Sequence, residues 1–145
     1  CDCTASIKMG KTDDNANGVV FLLDDEDTVM RKFKRAVTDS GNEIVSRADK
    51  PGISNLLTIY SVFTGVTVHE AEKQFNGVSY AEFKQAVGEA VCDHLRPIKA
   101  RYNELIADKT YLNGVIKQGA EKARYVANKT LSKVYRKVGF LTLDK

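Results

Sequence analysis

From Tyr80 to Ile106 an apolar side chain returns at almost every third or fourth position: Tyr80, Phe83, Val87, Val91, Leu95, Ile98, Tyr102, Leu105 and Ile106. That spacing is the buried face of an α-helix. A stripe of this length needs a second apolar surface to cover it, so the fold must supply further helices or a sheet. Ser79-x-x-Glu82 opens the stretch as a capping box, in which side chain and backbone satisfy each other's donors. Arg96-Pro97 interrupts it without changing its face. The proline therefore predicts a kink or a division into two helices, at about 3 kcal/mol if the helix stays whole.

The rest of the chain supplies helices. Asp24-Asp25-Glu26-Asp27-Thr28 offers N-caps and first-turn negative charge, and Val29, Met30, Phe33 and Val37 come next on one face. Residues 41–52 read as a polar loop closed by Pro51-Gly52. Residues 53–64 are apolar nearly all round, which places that helix at the centre of a core, with Gly65 to stop it. Thr67-x-x-Glu70 caps a short helix to Phe75, and Asn76-Gly77 turns the chain. After Asp108 a last stripe runs through Leu112, Val115, Ile116, Ala120, Ala123, Ala127, Leu131, Val134 and Val138 to a stop at Gly139. Gly114 and Gly119 weaken its first half and predict a break near Gln118-Gly119. Val19-Val20-Phe21-Leu22-Leu23 suits a short strand or a buried turn equally. There are no heptads, repeats or low-complexity tracts. The expectation is a mainly α fold, a helical bundle behind an acidic, turn-rich N-terminal segment.

Composition narrows the function. At 145 residues, 43% hydrophobic and 28% charged, the chain has the make-up of one ordinary globular domain or part of a larger one. No apolar run approaches the ~20 residues that span a bilayer, and no signal-peptide pattern opens the chain. Cys1, Cys3 and Cys92 are odd in number, which argues against a disulfide framework and for a reducing cytosol. His69 and His94 are isolated, so no metal site is predicted. Charge is uneven: residues 1–30 carry a net −5 and residues 109–145 a net +7. Such asymmetry suits a polyanion near the C-terminal part, although a solvated lysine-rich helix face looks the same in sequence.

Lys8-Met9-Gly10-Lys11-Thr12 places two ammonium groups about a glycine, a pattern suited to polyphosphate. It is not a P-loop: the first glycine of G-x-x-x-x-G-K-[ST] would fall at Ala5, and no apolar run precedes it.

Taken with the residues C-terminal to it, the loop is more specific. Lys8 to Ala16, then Leu22-Leu23-Asp24-Asp25, then Lys34-Arg35-Ala36-Val37-Thr38-Asp39-Ser40 resemble bacterial tryptophanyl-tRNA synthetases from their Lys-Met-Ser-Lys-Ser signature onward. Pro51 to Ser61 with Thr64-Gly65, Leu95-Arg96-Pro97-Ile98 with Arg101-Tyr102, and Gly119 to Ala123 continue the resemblance in order. Gly10 and Thr12 replace the signature's serines, and Cys1 to Ile7 does not match the Asp-Pro-Thr-Lys that usually precedes it.

The resemblance implies a class I enzyme that forms tryptophanyl-adenylate from tryptophan and ATP, with Mg2+, and passes tryptophan to its tRNA. Lys8 and Lys11 would be the catalytic cations, Lys11 foremost, within an ATP-binding loop of Lys8, Met9, Gly10, Lys11 and Thr12. By the same analogy residues 1–26 are the signature loop and linker, and residues 27–145 a helical anticodon-binding domain. The family's α/β nucleotide-binding half, with its His-Ile-Gly-His type signature, is not in this sequence. The expectation is thus a C-terminal portion of a cytoplasmic, homodimeric ligase, inactive alone. Its tRNA-binding candidates are Arg31, Lys32, Lys34, Arg35, Lys122, Arg124, Lys129 and Lys133. Tyr111, Tyr125 and Tyr135 are available for stacking on bases, though such spacings belong more often to helix interfaces. The rival reading is a free-standing helical RNA-binding or dimerisation module.

Overall fold

The computed structural model describes residues 16–140, in which a 3-10 turn at Ala16–Gly18 precedes five α-helices. These are α1 (Glu26–Arg35), α2 (Pro51–Thr64), α3 (Val68–Gln74), α4 (Tyr80–Ala107) and α5 (Lys109–Val138). No strand occurs among the described residues. The chain divides into two compact units, Cys1–Ala100 and Arg101–Lys145.

The helices start and stop where the local chemistry dictates. Asp25 caps α1, its Oδ1 accepting from the Thr28 N–H at 2.6 Å. Pro51 begins α2 at a position that has no use for its missing donor. Gly65, at φ 77°, ends α2 in the left-handed region. Thr67 and Glu70 form the predicted capping box on α3: the Glu70 N–H donates to Thr67 Oγ1, and the Thr67 N–H returns the bond at 2.8 Å. Ser79 and Glu82 do the same for α4.

In the first unit the core runs from Val29 to Leu95. Ile53, Leu57, Phe83, Val87 and Val29 are fully enclosed. Tyr60, Phe75 and Phe83 join α2, α4 and the end of α3 by edge-to-face contacts, with centroids 5.0 and 4.9 Å apart. Residues 53–64 are central as expected, although Val62 stays 73% exposed. The α4 stripe is buried only as far as Leu95; Ile98, Tyr102 and Ile106 are exposed.

Three expectations need correction. Residues 19–23 form neither a strand nor a buried turn. Val19 and Val20 are half-buried, Val20 against the core, and the chain then turns in the open, the Asp24 N–H bonding the Phe21 carbonyl, with Phe21, Leu22 and Leu23 exposed. Of the two outcomes expected at Pro97, a kink or a division, the division does not occur: α4 stays one helix of 28 residues, in which a single lost N–H is tolerated. In α5 no break occurs at Gly119, because the good helix formers after it (Ala120, Glu121, Lys122, Ala123) carry the helix through.

Among the described residues no helix is long and apolar enough to cross a membrane.

Candidate nucleic-acid interface

Lys8, Met9, Gly10, Lys11 and Thr12 lie outside the described residues. The segment from Ala16 onward is within them, and it is anchored. Lys32 extends from α1 to donate to the Val19 carbonyl at 2.7 Å and to Asp24 Oδ2 at 2.5 Å. Asp24 also accepts from the Phe21 N–H, and its carbonyl takes a bond from Lys99 of α4. Burial pushes the Asp24 carboxyl up, but the Lys32 and Phe21 bonds outweigh it and leave the group below its usual range. Arg96 ties α4 to α1 through Glu26 at 3.1 Å. The chain from Val19 to Asp24 is therefore fastened to α1 by the Lys32–Asp24 ion pair and to α4 by the Lys99 hydrogen bond.

These bonds sort the basic residues. On α1, Arg31, Lys34 and Arg35 are exposed, whereas Lys32 is buried and paired. Lys32 was a candidate because four of the five residues 31–35 are cationic; its partner Asp24 is eight positions away, in the irregular segment before α1. On α5, Lys122, Arg124, Lys129 and Lys133 are all exposed, and no residue of that helix is buried.

A second polar cluster went unread in the sequence. Lys50, just before α2, is buried and donates to Asp39 Oδ1 at 3.0 Å, to Tyr80 at 2.9 Å and to the Glu43 carbonyl. The Tyr80 hydroxyl lies 2.9 Å from Asp39 Oδ1, and the Gly41 N–H bonds the same oxygen. Burial raises the Asp39 carboxyl, but bonds from Lys50, Tyr80 and Gly41 hold it below its usual value. The Tyr80 and Asp39 bonds raise Lys50 in turn. The cluster pins the irregular chain between α1 and α2 to the start of α4. No spacing rule joins residues 39, 50 and 80, so only the fold shows it.

An open cavity of about 300 Å3 lies beneath Val19, Val20, Phe33, Leu56, Ile59 and Leu95. Its single lining cation, Lys32, is already paired, so it offers a phosphate no free charge. Among the described residues no three His, Cys, Asp or Glu side chains converge on a metal position, so these residues do not fit a Mg2+ site. The exposed cations of α1 and α5 offer charge that a polyanion could meet.

A family profile for tRNA synthetases class I (W and Y) matches residues 2–96. The chain belongs to that family. It is 43% identical over 138 residues to the tryptophan–tRNA ligase of Clostridium acetobutylicum, and 42% identical to that of Clostridium tetani, covering 95% of this chain in each case. In structure it is similar to the tryptophanyl-tRNA synthetase of Mycoplasma pneumoniae, with a TM-score of 0.66 at 28% identity over 94% of the chain and 42% of that protein. It spans about 41% and 40% of the two clostridial ligases. The resemblance to bacterial tryptophanyl-tRNA synthetases and the helical fold expected from it are thus borne out.

Proposed function

We propose that this chain is the signature-loop and tRNA-binding portion of a tryptophan–tRNA ligase. The observation that carries it is the 43% identity over 138 residues to such a ligase, of which the chain covers 41%. In the full-length enzyme ATP, with Mg2+, and tryptophan are the substrates, and the tryptophan carboxylate attacks the α-phosphate. Charge then builds on the departing pyrophosphate. Lys8 and Lys11 meet that charge on long flexible stems, and interactions that strengthen only in the transition state raise the rate. Residues 1–26 serve as loop and linker, and residues 27–145 hold the tRNA through the exposed cations of α1 and α5. The full enzyme works as a cytoplasmic homodimer.

Two measurements on the purified chain test this. Tryptophan-dependent pyrophosphate exchange should be undetectable, and turnover by the chain alone would overturn the reading. Binding to tryptophan tRNA should weaken steeply with salt, since phosphate contacts release counterions. Absence of tRNA binding at low salt would overturn the RNA-binding part.

A further inference from the structure

At about 100° per residue, Leu112, Ile116, Ala120, Ala123, Ala127, Leu131, Val134 and Val138 share one arc of about 100° on α5. Three polar residues fall in the same arc: Asn113 at its edge, Thr130, and Lys109 at the very start of the helix. Val115 and Val126 flank it on one side. The stripe is bare. Leu112 is half-buried and the others are exposed, Ile116 at 67% and Val138 at 59%. It runs for about 39 Å, and continuous apolar surface of that kind marks an interaction site, unlike the single apolar residues scattered on any surface. Helices owe most of their stability to packing. With Gly114 and Gly119 in its first half and no residue buried, α5 lacks that support within the chain.

The stripe reads alike from both ends. Turned end for end about position 125, Leu112 stands opposite Val138, Ile116 opposite Val134, Ala123 opposite Ala127 and, to within one residue, Ala120 opposite Leu131. Large side chains meet at the ends, a small one meets a large one between, and alanines meet at the centre, where two backbones can approach. A surface that complements itself under a twofold is what an isologous contact requires. We infer that α5 is covered by the α5 of a second copy, antiparallel and in this register. Charge disposition supports the choice. The helix carries eight Lys and Arg against Glu121 alone, so two of them repel unless the cations are kept apart. Under the twofold each flank meets the same flank of the other helix. Lys133 and Lys137 then lie along Val115 of the second copy, and Lys122 along its Val126, where methylene stems can cover apolar surface. Only Arg124 meets its own counterpart. An acidic helix would also be drawn to these cations, but it gives no reason for the twofold order. The contact needs nothing from the ligase reading, and it leaves Lys129 and Arg136 on the far side, open to RNA.

Sedimentation equilibrium of the full chain tests it. The chain should be a reversible dimer that tightens as salt rises, because salt screens the like charges; contacts to a polyanion do the opposite. Ile116→Glu and Val134→Lys should each weaken the dimer by more than about tenfold, since each buries an unpaired charge. Mixed in equal amounts, the two variants should regain the dimer, because positions 116 and 134 then face each other with opposite charge. Arg124→Gln should tighten association. Tyr125→Asp puts a charge on the far side of the helix and should not weaken it. Loss of helix in one variant does not blunt the test, because the mixture should restore helical circular dichroism together with mass. A chain monomeric at every concentration, its stripe bare, covered within the chain or gathered on anionic phospholipid vesicles, would overturn the pairing. So would a dimer that loosens with salt, or a mixture that stays monomeric. Rescue of Ile116→Glu by Ile116→Lys instead would mean parallel helices, and would overturn it too. If the dimer holds while tRNA fails to bind, only the tRNA reading falls.

Discussion

A methyl group on Gly52 would stand 2.4 Å from the Val37 carbonyl oxygen, and backbone has no rotamer by which to retreat. Gly88 is also tight, but there the neighbour is the Met30 sulfur at 2.7 Å, the movable end of a flexible side chain. Gly52→Ala is therefore expected to cost roughly 1–3 kcal/mol in urea unfolding, and more than Gly88→Ala. The reverse order would mean that the chain after α1 moves more easily than its packing implies. In the sequence Pro51-Gly52 closes a polar loop, whereas in the structure it forms the first turn of α2. The reason for glycine itself was not legible there, because Val37 is fifteen residues earlier. Lys32 shows the same dependence from the other side. Its position among cations suggested a free surface charge, and its pairing depends on where Asp24 comes to rest.

At the scale of elements, patterning predicted almost every helix, because capping boxes and apolar periodicity are local. The helix breaks that were expected and do not occur, a division at Pro97 and a stop near Gly119, came where local cost met length. Pro97 and Gly119 each carry a real penalty, but each sits inside a helix of 28 or 30 residues whose other bonds persist. For Gly119 the penalty is still there to be recovered. A Cβ at that position meets nothing within 4 Å. Gly119→Ala should stabilise α5 by about 0.5–1 kcal/mol, by restricting the unfolded chain and improving helix propensity. A higher thermal midpoint of the helical circular dichroism signal would show it, and an unchanged or lower one would contradict it. In sequence pattern α5 is indistinguishable from a buried helix. Its stripe, Leu112 to Val138, predicts a covered face, yet no residue of it is buried.

For the molecule as a whole, the first unit depends on the meeting of α2, α4 and the end of α3 at Phe83, which is fully enclosed and packs edge-to-face on Phe75. Phe83→Ala should cost about 3–5 kcal/mol, much of the ~5–15 kcal/mol that stabilises an ordinary domain. A urea midpoint close to that of the unchanged chain would show that the core refills the cavity. By itself the sequence determined the helical class, most helix boundaries and, through a resemblance spread along the chain, the synthetase family. Those properties are written in neighbours three and four residues apart and in ordered motifs. Only the tertiary structure decided which cations remain free. It paired Lys32 with Asp24, enclosed Lys50 with Asp39 and Tyr80, and left Lys122, Lys129, Lys133 and Arg136 on one open face. A charge becomes available for binding only when the fold gives it no partner, and partners distant in sequence are visible only once the chain is folded.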